Sequence, residues 1–205
     1  MNFSPLKTGL GLCCLLLLNA CASLDKEECQ TVNWGELGRA DGAKGYSSTR
    51  LGDHAKACRE YGIEPNAQSY QAGREEGLRV YCTEDNAFNA GKENHTFNNV
   101  CPASIAPRLQ ASYRDGQVIY DIESEISAIQ NAQYQERQKQ SKTKDLAVYK
   151  LIEVNLKFLD LELQSSERAL NDATDAIARG KHPLGFIKTY WQNRIPYPDA
   201  GVPKK

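Results

Sequence analysis

Three acids stand at equivalent points of a short repeated pattern and are the first candidates for chemistry: Asp41, Glu76 and Asp115. Carboxylates whose surroundings push their proton affinities apart can divide acid and base duties between them. Each belongs to a stretch of the form small-x-x-acid-Gly-x-x-x-Tyr, running Gly38 to Tyr46, Gly73 to Tyr81 and Ser112 to Tyr120. Arg39, Arg74 and Arg114 accompany the three copies, so ion pairing within each copy is the simpler expectation. His54 and Cys58 stand four apart, a spacing that can hold a metal on a helix, and Cys82, His95 and Cys101 could complete a zinc-like donor set. Exported cysteines oxidise, however, and the chain has no Cys-x-x-Cys pair. We therefore assign no metal ligands and no cofactor, and read His54 as a packing or hydrogen-bonding residue beside a disulfide. No Ser/His/Asp order and no His-Glu-x-x-His stands out, so no catalytic residue is assigned.

The elements that must position these groups follow from the glycines. At helical spacing Gly73, Gly77 and Tyr81 share one face, as do Gly38, Gly42 and Tyr46, and Gly116 and Tyr120. A degraded fourth copy reads Gly91-Lys92-Glu93-Asn94-His95. Glycine inside a helix costs about 1 kcal/mol relative to alanine. Repeating that cost on one face predicts close helix crossings, with tyrosine rings covering the glycine surface. The other reading is a groove for a glycan or peptide lined by Gly38, Gly42, Gly73, Gly77, Tyr81, Gly116 and Tyr120. No copy follows a strand or carries the Lys-Ser/Thr of a nucleotide-binding loop, which excludes that chemistry.

The amino terminus carries Lys7, an apolar run from Leu10 to Leu18, and then Asn19-Ala20-Cys21. The run is too short to span a membrane as a stable helix and reads as a leader over residues 1–20. A small residue before cysteine at its end resembles a bacterial lipobox. That resemblance implies diacylglycerol on Cys21 and a third acyl chain on the new amino group, and several chains together anchor firmly. Ala22 and Ser23 lack the aspartate that retains such proteins at the inner membrane, so the expected location is the periplasmic side of the outer membrane. Cys13 and Cys14 leave with the leader, and Cys29, Cys58, Cys82 and Cys101 remain. Four exported cysteines read as two disulfides with three connectivities. We favour Cys29–Cys58 with Cys82–Cys101, since each bridge then closes one helical unit. In the chain-entropy model each would contribute about 3 kcal/mol.

The expected fold class is all-α. Residues 21–33 form a polar tether pinned at Cys29, and residues 34–117 a disulfide-stapled Gly-repeat domain. Within it a helix runs from Arg50 to Tyr61, stopped by Gly62 and Pro65, and Asn66 caps the next helix to Tyr81. Beyond it Ile119, Ile122, Ile126 and Ile129 alternate by threes and fours. Tyr149, Ile152, Leu156, Leu159, Leu163, Ser166, Leu170, Ala173 and Ile177 do the same in a shifted phase. This is coiled-coil patterning over residues 118–180. It fits either one long helix with a stutter or an antiparallel hairpin, and the hairpin gives each stripe a partner within the chain. Arg179-Gly180-Lys181-His182-Pro183 is a helix stop. Residues 181–205, with Phe186, Tyr190, Trp191 and Tyr197, form an aromatic and proline-rich tail that docks on the helices or binds a partner. The 205 residues carry 25 basic and 26 acidic side chains, which makes no electrostatic case for nucleic acid.

Taken together, several fragments resemble a family of Gram-negative lipoproteins called domain of unknown function twenty-seven ninety-nine. They are Gly38-x-x-Asp41-Gly42-x-x-Gly45, His54-x-x-x-Cys58, Tyr70-x-x-Gly73-Arg74-x-x-Gly77-Leu78-x-x-Tyr81-Cys82, Val100-Cys101-Pro102 and Tyr113-x-Asp115-Gly116. The likeness covers roughly residues 29–130; it supports an envelope lipoprotein and implies no known catalytic residues. The expected role is a lipid-anchored structural or adaptor protein that binds an envelope partner, or itself, through residues 118–180. A binding module for glycan, peptidoglycan or peptide is the second reading, and an envelope hydrolase using the repeated acids the third.

Overall fold

A computed structural model describes residues 24–183, and all the regular structure in them is helical. The leader, Cys21 and the aromatic tail from residue 184 lie outside the described residues. The chain divides after Tyr81 into two compact units.

The first unit holds α1 (Lys26–Thr31), α2 (Trp34–Ala43), α3 (Arg50–Arg59) and α4 (Ala67–Tyr81). Part of the expected tether is thus a short helix. Asp25 accepts from the Glu28 backbone at 2.8 Å while Glu28 returns the bond to the Asp25 backbone, a reciprocal cap that satisfies two otherwise orphaned amides. Cys29 on α1 is bonded to Cys58 on α3, and Leu24, Trp34, Leu37 and Ile63 pack around that bridge. Helix α4 packs along α2. Asn33 caps α2 through the amides of Gly35 and Glu36, and Asn66 accepts from Ser69 at the start of α4.

The second unit holds α5 (Glu84–Lys92), α6 (Ala106–Lys142) and α7 (Leu146–Ala178). Thr83 caps α5, and Cys82 is bonded to Cys101 across the segment that leads into α6. Both disulfides therefore follow the sequential pairing, each within its own unit. Helices α6 and α7 form an antiparallel hairpin. Val118, Ile119 and Ile122 near the start of α6 meet Ala173, Leu170 and Ile177 near the end of α7, while Gln133 reaches Asp160 at 2.6 Å. Asp145 caps α7 through the amides of Ala147 and Val148, so the polar stretch ends in a tight reversal instead of continuing as one helix. Gly180 adopts φ +68° just beyond α7 and closes the helix, as the stop signal requires. The boundary expected near residue 117 falls inside the unbroken α6, because the third Gly-repeat copy and the first isoleucine stripe lie on the same helix.

Candidate functional site

The four glycine copies build two crossings. In the first unit a Cβ on Gly42 would lie 2.2 Å from the Arg74 carbonyl oxygen, and one on Gly77 2.1 Å from that of Arg39. Gly38 and Gly73 face the backbones of Tyr70 and Gly35 at 2.0 and 1.9 Å by the same measure. In the second unit Gly116 on α6 faces the Phe88 carbonyl at 2.1 Å, and Gly91 on α5 faces that of Tyr113 at 2.1 Å. The facing backbone thus takes up the glycine faces that the sequence offered as a groove. Tyr81 is buried against Gly45 in the turn just beyond α2, whose φ of +68° and missing Cβ admit the ring. Tyr120 is half-buried on α6. The fourth copy is offset from its sequence reading, since Gly91 takes the second glycine position and the fully buried Ala87 the first.

Beside each crossing sits a buried aspartate. In the first unit Asp41 Oδ2 takes the Tyr70 hydroxyl at 2.7 Å and lies 2.8 Å from His54 Nε2. Asp41, His54 and Tyr70 are all buried. Burial, reinforced by the hydrogen bond to Asp41, raises the proton affinity of the Tyr70 phenol above the usual tyrosine range. Arg74 is also buried and donates to the Tyr46 carbonyl at 2.8 Å through Nη2 and 3.3 Å through Nε. Expected pairing of the repeat arginines with the repeat acids does not occur at these positions: Arg39 pairs with Glu36, and Arg74 holds a backbone oxygen. Of the three repeat acids Glu76 is exposed on α4, whereas Asp41 and Asp115 are buried. Gly77 beside Glu76 packs as closely as Gly42 beside Asp41, so the adjoining glycine alone does not bury the acid; Asp41 and Asp115 are the two that meet a histidine, His54 and His182.

In the second unit the buried aspartate is Asp115, whose Oδ2 lies 2.7 Å from His182 Nδ1. Its other oxygen, Oδ1, is shut away from solvent without a hydrogen-bond partner. Asp115 is 6% exposed, while the His182 side chain is 61% exposed. The pair opens on a cavity of about 730 Å³ whose walls include Phe88, Pro107, Ala111, Ser112 and Ile177. Charged residues at the same cavity are Glu84, Asp85, Arg108 and Lys181, of which Arg108 and Glu84 pair at 3.1 Å. A carboxylate on one imidazole nitrogen fixes the ring and leaves the other to accept or donate a proton or to bind a ligand. His182 carries no motif in the sequence, where it reads as part of a helix stop; only the hairpin returns it to Asp115, which precedes it by 67 positions. Cys58, Cys82 and Cys101 are oxidised, and among the described residues no group of three or more His, Cys, Asp or Glu is arranged to hold a metal.

Helix α7 presents a second feature, on its surface. One face, with Ile152, Leu156, Leu159, Ser166 and Ala173, is buried. A neighbouring face carries Leu151, Val154 and Leu161 at 60%, 62% and 65% exposure, again at heptad spacing, with Leu146 at 66% in the first turn. Among the described residues no helix is long and apolar enough to cross a membrane.

No curated protein and no solved structure matches the chain. A family model described as Protein of unknown function (DUF2799) matches residues 33–118, which run from the cap of α2 through both glycine crossings to Val118 on α6. The likeness to the DUF2799 family is thus a match over this stretch, with both aspartate–glycine crossings inside it and His182 beyond it.

Proposed function

We propose that the protein is a lipid-anchored adaptor of the bacterial cell envelope, on the periplasmic side of the outer membrane, that works by helix association through α7. The observation that carries this reading is the exposed heptad face of Leu151, Val154 and Leu161 beside the buried one. Large aliphatic side chains at that spacing, left open to water on an ordered helix, fit a partner helix. Each contributes roughly 1.5–3 kcal/mol when fully covered. The leader and Cys21 supply the anchor, and an anchored chain needs no affinity of its own for lipid.

The test uses the full chain in intact envelopes. Replacing Leu151, Val154 and Leu161 with glutamate should abolish cross-linking to the partner or to a second copy, while helicity and thermal transition stay unaltered, because none of the three is in the core. Unchanged cross-linking would sink the adaptor reading. Metabolic palmitate labelling of the wild type, lost in Cys21→Ser, checks the anchor separately.

A further inference from the structure

The two crossings correspond residue for residue, and the comparison shows what is missing from one of them. Gly42 contacts the Arg74 carbonyl as Gly116 contacts that of Phe88, and Gly77 contacts Arg39 and Ala43 as Gly91 contacts Tyr113 and Gln117. Asp115 therefore stands where Asp41 stands, and Phe88 where Arg74 stands. One helical turn before Arg74 is Tyr70, and one turn before Phe88 is Glu84. In the first unit the Tyr70 ring fills the space over the aspartate, and its hydroxyl donates to the carboxylate at 2.7 Å. In the second unit Glu84 pairs with Arg108 instead, and the cavity opens where a phenol would lie.

The geometry points to a binding site for a phenol at Asp115 and His182, with the ligand ring taking the place that Tyr70 occupies in the first unit. Three features of the cavity support it. Asp115 is a buried acceptor at the cavity wall, and a phenol in the Tyr70 position would donate to Oδ2 beside His182, as Tyr70 donates to Asp41 Oδ2 beside His54. Phe88, Pro107, Ala111 and Ile177 offer an apolar surface to a ring. Arg108 and Lys181 balance Glu84 and Asp85 at the same walls, so apart from Asp115 and His182 the lining carries no net charge that would select an ion over a neutral phenol. The volume of about 730 Å³ is in the range of small-ligand sites and exceeds what one ring needs. A phenol can arrive as a free small molecule or as a tyrosyl side chain of a peptide. Either would be held by a hydroxyl donated to Asp115 Oδ2, with the imidazole already fixed beside it on the same oxygen. This site is independent of the α7 face, so neither proposal depends on the other.

Titration of the full chain in detergent, followed by amide and imidazole NMR shifts, tests it. The probes are p-cresol, N-acetyltyrosine amide and N-acetylphenylalanine amide. We expect saturable shifts at Ser112, Asp115 and His182 with the two phenols, and at least tenfold weaker binding of the phenylalanine probe. Tighter binding of the tyrosine amide than of p-cresol identifies a peptide side chain as the ligand; the reverse identifies a free phenol. Glu84→Tyr should rebuild the first unit's arrangement, fill the cavity from within and abolish binding while the protein remains folded. Absence of saturable binding by either phenol, equal binding of the phenylalanine probe, or undiminished binding in folded Glu84→Tyr would each overturn the assignment.

Discussion

At the scale of the residue, the two aspartates show how one local motif serves two ends. Asp41 is enclosed by His54 and Tyr70, both of them buried, and its role is to hold three chain segments together. Asp115 is also buried but has a hydrogen-bond partner in His182 on Oδ2 only, at the wall of a cavity. The Tyr70 hydroxyl bonds an acceptor inside the protein, so Tyr70→Phe should cost about 1.5–3 kcal/mol in unfolding free energy. The same bond sets an alkaline limit. Tyr70 is raised above the ordinary tyrosine value of about 10. Above that pH the unfolded chain has released a proton that the folded one keeps, so stability is full below about pH 10 and falls as pH rises beyond it. Denaturant unfolding of wild type and Tyr70→Phe across that range checks the sign: the variant should be less stable at neutral pH and have a shallower alkaline decline.

At the scale of the element, the glycines separate into those that fold requires and those it tolerates. A Cβ at Gly77 would meet the Arg39 oxygen at 2.1 Å and the Ala43 nitrogen at 2.6 Å, both backbone atoms that a rotamer change cannot move. Gly52 lies inside α3 with nothing within 4 Å of the same added atom. Thermal unfolding should therefore respond with opposite signs. Gly77→Ala loses about 1–3 kcal/mol through overpacking, whatever it gains in helix propensity. Gly52→Ala gains about 0.5–1 kcal/mol. A Gly77→Ala variant as stable as wild type would mean that the α2–α4 crossing is not what the glycine serves. Helices α6 and α7 rest on different physics: their isoleucine and leucine stripes interlock at heptad spacing, and the reversal at Thr143–Asp145 lets each bury the other's stripe.

At the scale of the whole molecule, each compact unit carries its own disulfide, closing sequence separations of 29 and 19 residues. Small helical units with few large apolar residues rely on such staples. Cys29→Ser with Cys58→Ser should lower the opening free energy of residues 24–81 by about 3 kcal/mol, read by amide exchange, and leave protection in 82–183 in place. Equal loss of protection in both halves would show that they unfold as one.

The sequence by itself determined what depends on neighbours along the chain. The helix cap at Asn66, the stops at Gly62 and Gly180, the glycine face of Gly73 and Gly77 and the heptads of α7 are all local patterns, and each is found where its spacing placed it. The sequential disulfides were legible for a related reason, since short loops keep each bridge inside one helical unit. Only the tertiary structure decided which acids are buried: Asp41 and Asp115 each lie against a histidine from a distant segment, while Glu76, beside a glycine packed just as closely, remains in water. It alone also brought His182 to Asp115 across the full length of the hairpin, a meeting that no spacing rule records. The pairing of α5 with α6, and with it the exchange of Tyr70 for Glu84, set the cavity: side chains far apart in the chain define a void only once the backbones that carry them are packed.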